Sequence, residues 1–259
     1  MSKILVVLAG SLALASCANT VNLLNPNSPR FEGAFAAPVP DSSVRPAGRL
    51  RVVSFNIKMA DRIGTAIEVL RSDSLRDADI ISLQEMDEAG TERIARELHL
   101  NYVYYPGSIH PARNRYFGPA ILSRWPIERS WKLNLPYEAP VRRQRRNATA
   151  AVVNVRGERV TVYAVHLETQ FRASARTREE QVATVLADAK SAAGPVVVAG
   201  DFNSWGIGEY FRQRGFSWPT RDVGKTIAVF SWDHIFVRGL PLATPTAAGK
   251  VVDVHGASD

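Results

Sequence analysis

The sequence predicts an α+β fold in which two mainly antiparallel β-sheets pack face to face and carry helices on their outer surfaces. Three observations lead there. Seven segments read as strands, and three others repeat apolar residues at helical spacing. Two of the strands are separated only by Arg156-Gly157-Glu158, the mark of a hairpin turn. Strict strand–helix alternation stops after residue 100, which argues against a doubly wound parallel sheet and for two packed sheets.

The elements follow in order. Residues 50–56 are β-branched and aromatic and end in a polar group, so they read as a strand. Ile63, Ala66, Ile67 and Leu70 fall at i, i+3, i+4 and i+7, which predicts a helix over 61–72 with Asp61 as its cap. Residues 79–85 form a buried strand ending in a carboxylate, and 88–98 a helix with Ile94 and Leu98 on one face. Strands are expected at 118–123, 148–155 and 159–166. A helix over 179–193 turns Val182, Val185, Leu186 and Ala189 inward. Residues 195–199 are a strand, 204–230 are rich in loop residues, and 231–237 are the last strand. No internal repeat is present.

Hydrophobic residues make up 46% of the 259, enough for a large core, and the net charge of +7 favours contact with phosphates or anionic surfaces. Many exported proteins are basic without such a partner. The single cysteine, Cys17, excludes an internal disulfide. A basic start, an apolar run from Ile4 to Leu14 and small residues before Cys17 describe a secretory signal over residues 1–16, too short to span a bilayer. Leu14-Ala15-Ser16-Cys17 resembles the lipobox of bacterial lipoproteins, which implies cleavage before Cys17 and its acylation. The alternative is an ordinary signal peptide with a chance cysteine, but the only cysteine falls where the motif needs it. Ala18, where an Asp is absent, fits retention in the outer membrane, facing the periplasm. Residues 17–48, with five prolines after the lipidated cysteine, read as an extended tether, and 49–259 as one domain.

Several strands end in a residue able to bind metal or phosphate: Asn56, Glu85, His166, Asp201 with Asn203, Asp233 and Asp259. Their oxygens are hard donors that suit Mg²⁺ or Mn²⁺, and no Cys/His cluster has zinc spacing.

Ser54-Phe55-Asn56-Ile57, Leu83-Gln84-Glu85, Ala120-Ile121-Leu122-Ser123-Arg124, Ala164-Val165-His166-Leu167-Glu168, Gly200-Asp201-Phe202-Asn203, Trp232-Asp233-His234-Ile235-Phe236-Val237 and Ser258-Asp259 resemble, in order, the signature segments of the endonuclease/exonuclease/phosphatase superfamily. The resemblance implies a deoxyribonuclease-I-like four-layer α/β/β/α sandwich and metal-dependent phosphoester hydrolysis. Glu85 would be the main metal carboxylate, helped by Asn56, with Asp259 beside the metal. Asp201 would orient and deprotonate the attacking water, Asn203 would hold that water or a phosphate oxygen, and His166 would donate a hydrogen bond to the scissile phosphate. In the family the carboxylate at Asp233 pairs with an imidazole that directly follows the position of Asp259. The sequence as given ends at Asp259, and His255 lies four residues before Asp259. The alternative to an active hydrolase is therefore a binding protein that keeps the fold with impaired catalysis.

Other residues have plainer readings. Phe202, between Asp201 and Asn203, should face the core, and His234 should point away from Asp233, because strand neighbours alternate. Trp205 and Trp218 fit core packing better than base stacking. The run Arg142-Arg143-Gln144-Arg145-Arg146 reads either as a solvated loop or, through Arg143 and Arg145, as a contact to substrate phosphate. Arg115, with Arg113 and Tyr116, is expected to line the cleft. The substrate is a nucleic acid, a nucleotide or a phospholipid head group, and the chain is expected to act as a monomer.

Overall fold

The computed structural model describes residues 20–37, 49–242 and 248–258. Cys17, the remainder of the expected tether and Asp259 lie outside the described residues. The strands in chain order are β1 (Val21–Asn22), β2 (Phe31–Gly33), β3 (Val52–Asn56), β4 (Ile80–Met86), β5 (Asn101–Tyr104), β6 (Ser108–His110), β7 (Arg115–Ser123), β8 (Ile127–Asn134), β9 (Asn147–Val155), β10 (Glu158–His166), β11 (Val196–Asp201) and β12 (Asp233–Arg238). The helices are α1 (Ile63–Leu70), α2 (Glu88–Glu97), α3 (Ala175–Ala189) and α4 (Ile207–Arg212).

Seven strands form one sheet, with the path β1-β6-β7-β4-β3 and with β5 joining β2 to β7. Five form the other, in the order β12-β11-β10-β9-β8. Three apolar layers result, as a four-layer sandwich requires. Ile81 and Leu83 of β4 pack outward against Ala66, Leu70 and Ile94 of α1 and α2. Tyr163 and Val165 of β10 pack outward against Val182, Val185 and Leu186 of α3. Ile80, Val160, Val162 and Ala164 meet between the sheets. Each strand serves two layers because successive side chains alternate faces.

Local chemistry explains the boundaries. Ser174 caps α3 by accepting the Thr177 N–H at 3.1 Å, which starts the helix four residues earlier than its apolar spacing suggested. Asp87 caps α2 through the Gly90 N–H at 2.7 Å. Asp61 does not cap α1. The cap position is Arg62, and the Asp61 carboxylate is taken by Arg113 and Arg115. The β9–β10 hairpin turns at Arg156 and Gly157, both at positive φ (55° and 88°), as a two-residue loop of matching twist demands.

The reading of 17–48 as a free tether needs correction over residues 20–37. β1 pairs with β6 and β2 with β5. The anchor is a buried lysine: Lys132 Nζ donates to the carbonyls of Leu23 (2.7 Å), Ser28 (3.1 Å) and Pro106 (3.5 Å). Neither a prolyl-rich composition nor missing periodicity could reveal a segment fastened by distant side chains.

Candidate active site

β3 runs parallel to β4, and β10 runs parallel to β11. Parallel pairing puts the C-terminal ends of both pairs on one rim, which explains why polar strand ends meet there. β12 runs antiparallel to β11, so its first residue, Asp233, lies in register with Asp201.

Two backbone devices aim the side chains. The register between β4 and β7 shifts between Leu83 and Met86, and Glu85 sits at φ 60°. This bulge turns Glu85 to the rim while Gln84 stays buried, reaching the Ser82 hydroxyl at 2.8 Å. Ser82 in turn donates to the Ala199 carbonyl at 2.9 Å and ties the sheets together beneath the site. On β11, Gly200 lets the backbones close up, because a Cβ there would stand 1.9 Å from the Val165 carbonyl oxygen.

The cluster is tight. Asn56 Nδ2 donates to Asp201 Oδ2 at 3.2 Å and lies 3.5 Å from Glu85 Oε1. His166 Nε2 lies 3.9 Å from Glu85 Oε1 and 3.7 Å from Asp201 Oδ2. Glu85 Oε2 accepts the Met59 N–H at 2.9 Å, and Asn56 Oδ1 accepts the Lys58 N–H at 3.0 Å. The turn that offers these N–H groups is strained, with Lys58, Met59 and Ala60 all at positive φ. A cavity of about 270 Å³ opens beside Asn56 and Asp233.

Burial pushes the Asp201 carboxyl well above the usual carboxylate range, and the Asp233 and Glu85 charges push it further, against the pull of the Asn203 and Asn56 hydrogen bonds. Burial, then the Arg146 charge, drives His166 well below the usual histidine value. Both effects favour the neutral ring. Its tautomer is set: Arg146 Nη1 lies 3.1 Å from His166 Nδ1 and can only donate, so the ring proton sits on Nε2, facing the carboxylates.

The structure brings Asn56, Glu85, His166, Asp201, Asn203 and Asp233 together. The Asn203 N–H donates to Asp201 Oδ1 at 2.9 Å and its Nδ2 to the Leu167 carbonyl at 3.1 Å, so this residue fastens Asp201. Arg143 and Arg145 both pair with Glu138 on the surface, as the solvated-loop reading of this run has them. Arg115 is held by Asp61, Asp87 and the Met59 carbonyl, behind the turn that supports Glu85. Phe202 is fully buried and Trp218 nearly so, while Trp205 is about half exposed. His234 accepts from Trp218 Nε1 and turns its Nε2 to the Ser204 carbonyl, away from the rim.

Arg146 is the residue that sequence reasoning passed over. It is buried, holds His166 and pairs with the fully buried Glu168 at 3.5 Å. A signal existed. Period-two alternation extended back from β9 separates Gln144 and Arg146, both buried, from the more exposed Arg143 and Arg145.

Could this rim hold a divalent cation? Among the described residues no group of three or more His, Cys, Asp or Glu forms a ready cage. Mg²⁺ does not need one, since one or two carboxylates plus substrate phosphate and water complete its shell. Glu85 supplies hard oxygens, Asn56 would add its Oδ1 by turning its amide away from the Lys58 N–H, and the crowded carboxylates around Asp201 would be relieved by a cation. The residues fit.

Comparisons with known proteins agree with this geometry. The profile of the Endonuclease/Exonuclease/phosphatase family matches residues 53–258. A search of curated proteins returns no match. Similar solved structures include D. rerio TDP2 complexed with single strand DNA product, at 20% identity and TM-score 0.56, covering 74% of this chain and 84% of that one. Sphingomyelinase C from Streptomyces griseocarneus is 16% identical with TM-score 0.55, covering 73% and 83%. A mannosyl-6-phosphatase from Bacteroides thetaiotaomicron VPI-5482 is 16% identical with TM-score 0.56, covering 73% and 85%.

Proposed function

Since the chain belongs to the endonuclease/exonuclease/phosphatase family, whose members hydrolyse phosphoesters, we propose that it cleaves a phosphodiester or phosphomonoester with Mg²⁺ or Mn²⁺. The observation that carries this reading is the meeting of Asn56, Glu85, His166 and Asp201, from four strands, each within 4 Å of two of the others. Glu85 and Asn56 would hold the cation, which neutralises a phosphate oxygen and the charge growing on the leaving group.

The chain's own residues do the rest. His166, neutral and protonated on Nε2, donates to a phosphate oxygen. Asp201 accepts the proton of the attacking water, and Asn203 holds its carboxylate in place. Hydrogen bonds from Asn56 Nδ2 and the Asn203 N–H keep the Asp201 carboxylate aimed into the site. Arg146 keeps the His166 proton on the substrate side. Asp233, in register with Asp201 on the neighbouring strand, adds negative charge beside it.

We also propose that the protein works outside the cytoplasm, anchored by acylated Cys17 in the outer membrane and facing the periplasm. Among the described residues no helix is long and apolar enough to cross a membrane. Nucleic acids, nucleotides and phospholipid head groups in that compartment are the candidate substrates.

The test is hydrolysis of bis(p-nitrophenyl) phosphate and p-nitrophenyl phosphate by the purified full chain. Asp201→Ala is expected to lose about 10²–10⁴-fold in rate. Full activity in that variant would overturn the assignment of the base.

A further inference from the structure

Among the described residues half of the large exposed apolar side chains, Val21 (56% exposed), Leu24 (47%), Val141 (62%) and Phe171 (77%), lie on three segments that are hydrogen-bonded to one another, while Trp205, Val229, Leu242 and Val252 lie on other segments. The Thr20 N–H donates to the Arg142 carbonyl at 2.8 Å. Asn22 grips the same loop from both sides, donating to the Arg143 carbonyl at 2.7 Å and accepting the Arg145 N–H at 2.8 Å. The Tyr137 hydroxyl donates to the Arg172 carbonyl, which fastens the 137–145 loop to the segment after His166.

The charges near these side chains are mainly of one sign. Arg142, Arg143, Arg145 and Arg172 lie on the same segments, against two acids: Glu138, which pairs with Arg143 and Arg145, and Glu168, which is fully buried. Isolated exposed apolar residues are ordinary, but apolar tips ringed by arginine suit the boundary between headgroups and acyl chains. Chain length adds an independent constraint. Cys17 precedes the docked Thr20 by three residues, a reach of at most about 11 Å. An acyl group on Cys17 would therefore bring this face, and no other, against the bilayer.

We propose that residues 20–24, 141–145 and 171–172 form one membrane-contacting face that lies flat on a bilayer bearing anionic headgroups. The proposal rests on the acylation of Cys17 put forward above. The face borders the catalytic rim, because Arg146 continues the 141–145 loop to His166 and Phe171 follows His166 by five residues. Seated in this way, the site faces headgroup phosphates and not the open periplasm. A docked N-terminus with three residues of slack holds that orientation, which a flexible tether could not.

The experiment uses the acylated full chain in vesicles of phosphatidylcholine mixed with phosphatidylglycerol. Val141→Cys and Phe171→Cys carry an environment-sensitive fluorophore, and Arg156→Cys is the control. Arg156 lies in the turn before β10, at the opposite end of that strand from His166, about 30 Å away. The expected result is a blue shift and quenching by a lipid-borne quencher at 141 and 171 but not at 156. Adding Arg142→Glu and Arg143→Glu should weaken the shift, as should raised salt. Equal responses at all three sites, or none at 141 and 171, would overturn the proposal. Diester hydrolysis measured on the same samples keeps the two readings apart. Lost hydrolysis with the fluorescence pattern intact sinks the chemistry and supports the face; the reverse sinks the face alone.

Discussion

The catalytic rim and the N-terminal segment are both held by long-range hydrogen bonds, yet they were written into the sequence in different ways. At the rim, polar residues end regular strands, and parallel pairing of β3 with β4 and of β10 with β11 gathers them. Residues 20–37 have no pattern of their own. Their order comes from Lys132 and from the reciprocal bonds of Asn22. The rim gathers repelling charge in the service of chemistry, whereas the segment is held by strand pairing and by the hydrogen bonds of Asn22 and Lys132. The first should lose function when altered and the second stability.

Asp201→Asn breaks the rim most severely. It should cost about 10²–10⁴-fold in hydrolysis. The comparison sharpens when stability is followed in EDTA. Burial and neighbouring carboxylates raise Asp201, so its contribution is fully present at low pH and is lost as pH rises through the raised value. In metal-free protein at neutral pH, Asp201→Asn should therefore raise the melting temperature. A fall would show that the carboxylate is structurally required.

Arg146→Met comes next. It leaves Glu168 buried without its cation and should cost about 3–5 kcal/mol in chemical denaturation. Arg143→Ala, three residues away and half exposed, should stay within about 0.5 kcal/mol. Equal effects would mean that Arg146 is no more embedded than its neighbours.

Lys132→Met attacks the N-terminal segment. Three carbonyls lose their donor, at a cost of about 1–3 kcal/mol. Burial lowers the Lys132 ammonium from 10.5 to about 8. Between those values the unfolded chain binds more protons than the folded one, so stability rises with pH across the window. The variant should flatten that rise in a series of melts. On the same segment Asn22→Ala should cost less than Lys132→Met, about 1–2 kcal/mol, with hydrolysis of a soluble diester retained.

What was legible in the sequence follows the same division. Residues 50–56, 79–85 and 159–166 have strong β-branched or apolar runs, and their strands stand where expected. β5, β6 and β8 escaped notice because the first two are very short and β8 is a half-exposed edge strand. α4 escaped inside a stretch dominated by loop residues. At the rim, residue types pointed to Asn56, Glu85, His166 and Asp201. The bulge that aims Glu85, the pinning role of Asn203 and the hold of Arg146 on His166 depend on tertiary register, which no single segment encodes.

The central claim is that strand ends remote in sequence form one cation-dependent hydrolytic site. Its most direct test is a Mg²⁺ titration of diester hydrolysis in the wild type and in Glu85→Gln. The account predicts saturable activation, abolished by EDTA, with the half-saturating Mg²⁺ raised at least about tenfold in the variant. Hydrolysis indifferent to EDTA, or identical titration curves for the two proteins, would contradict it.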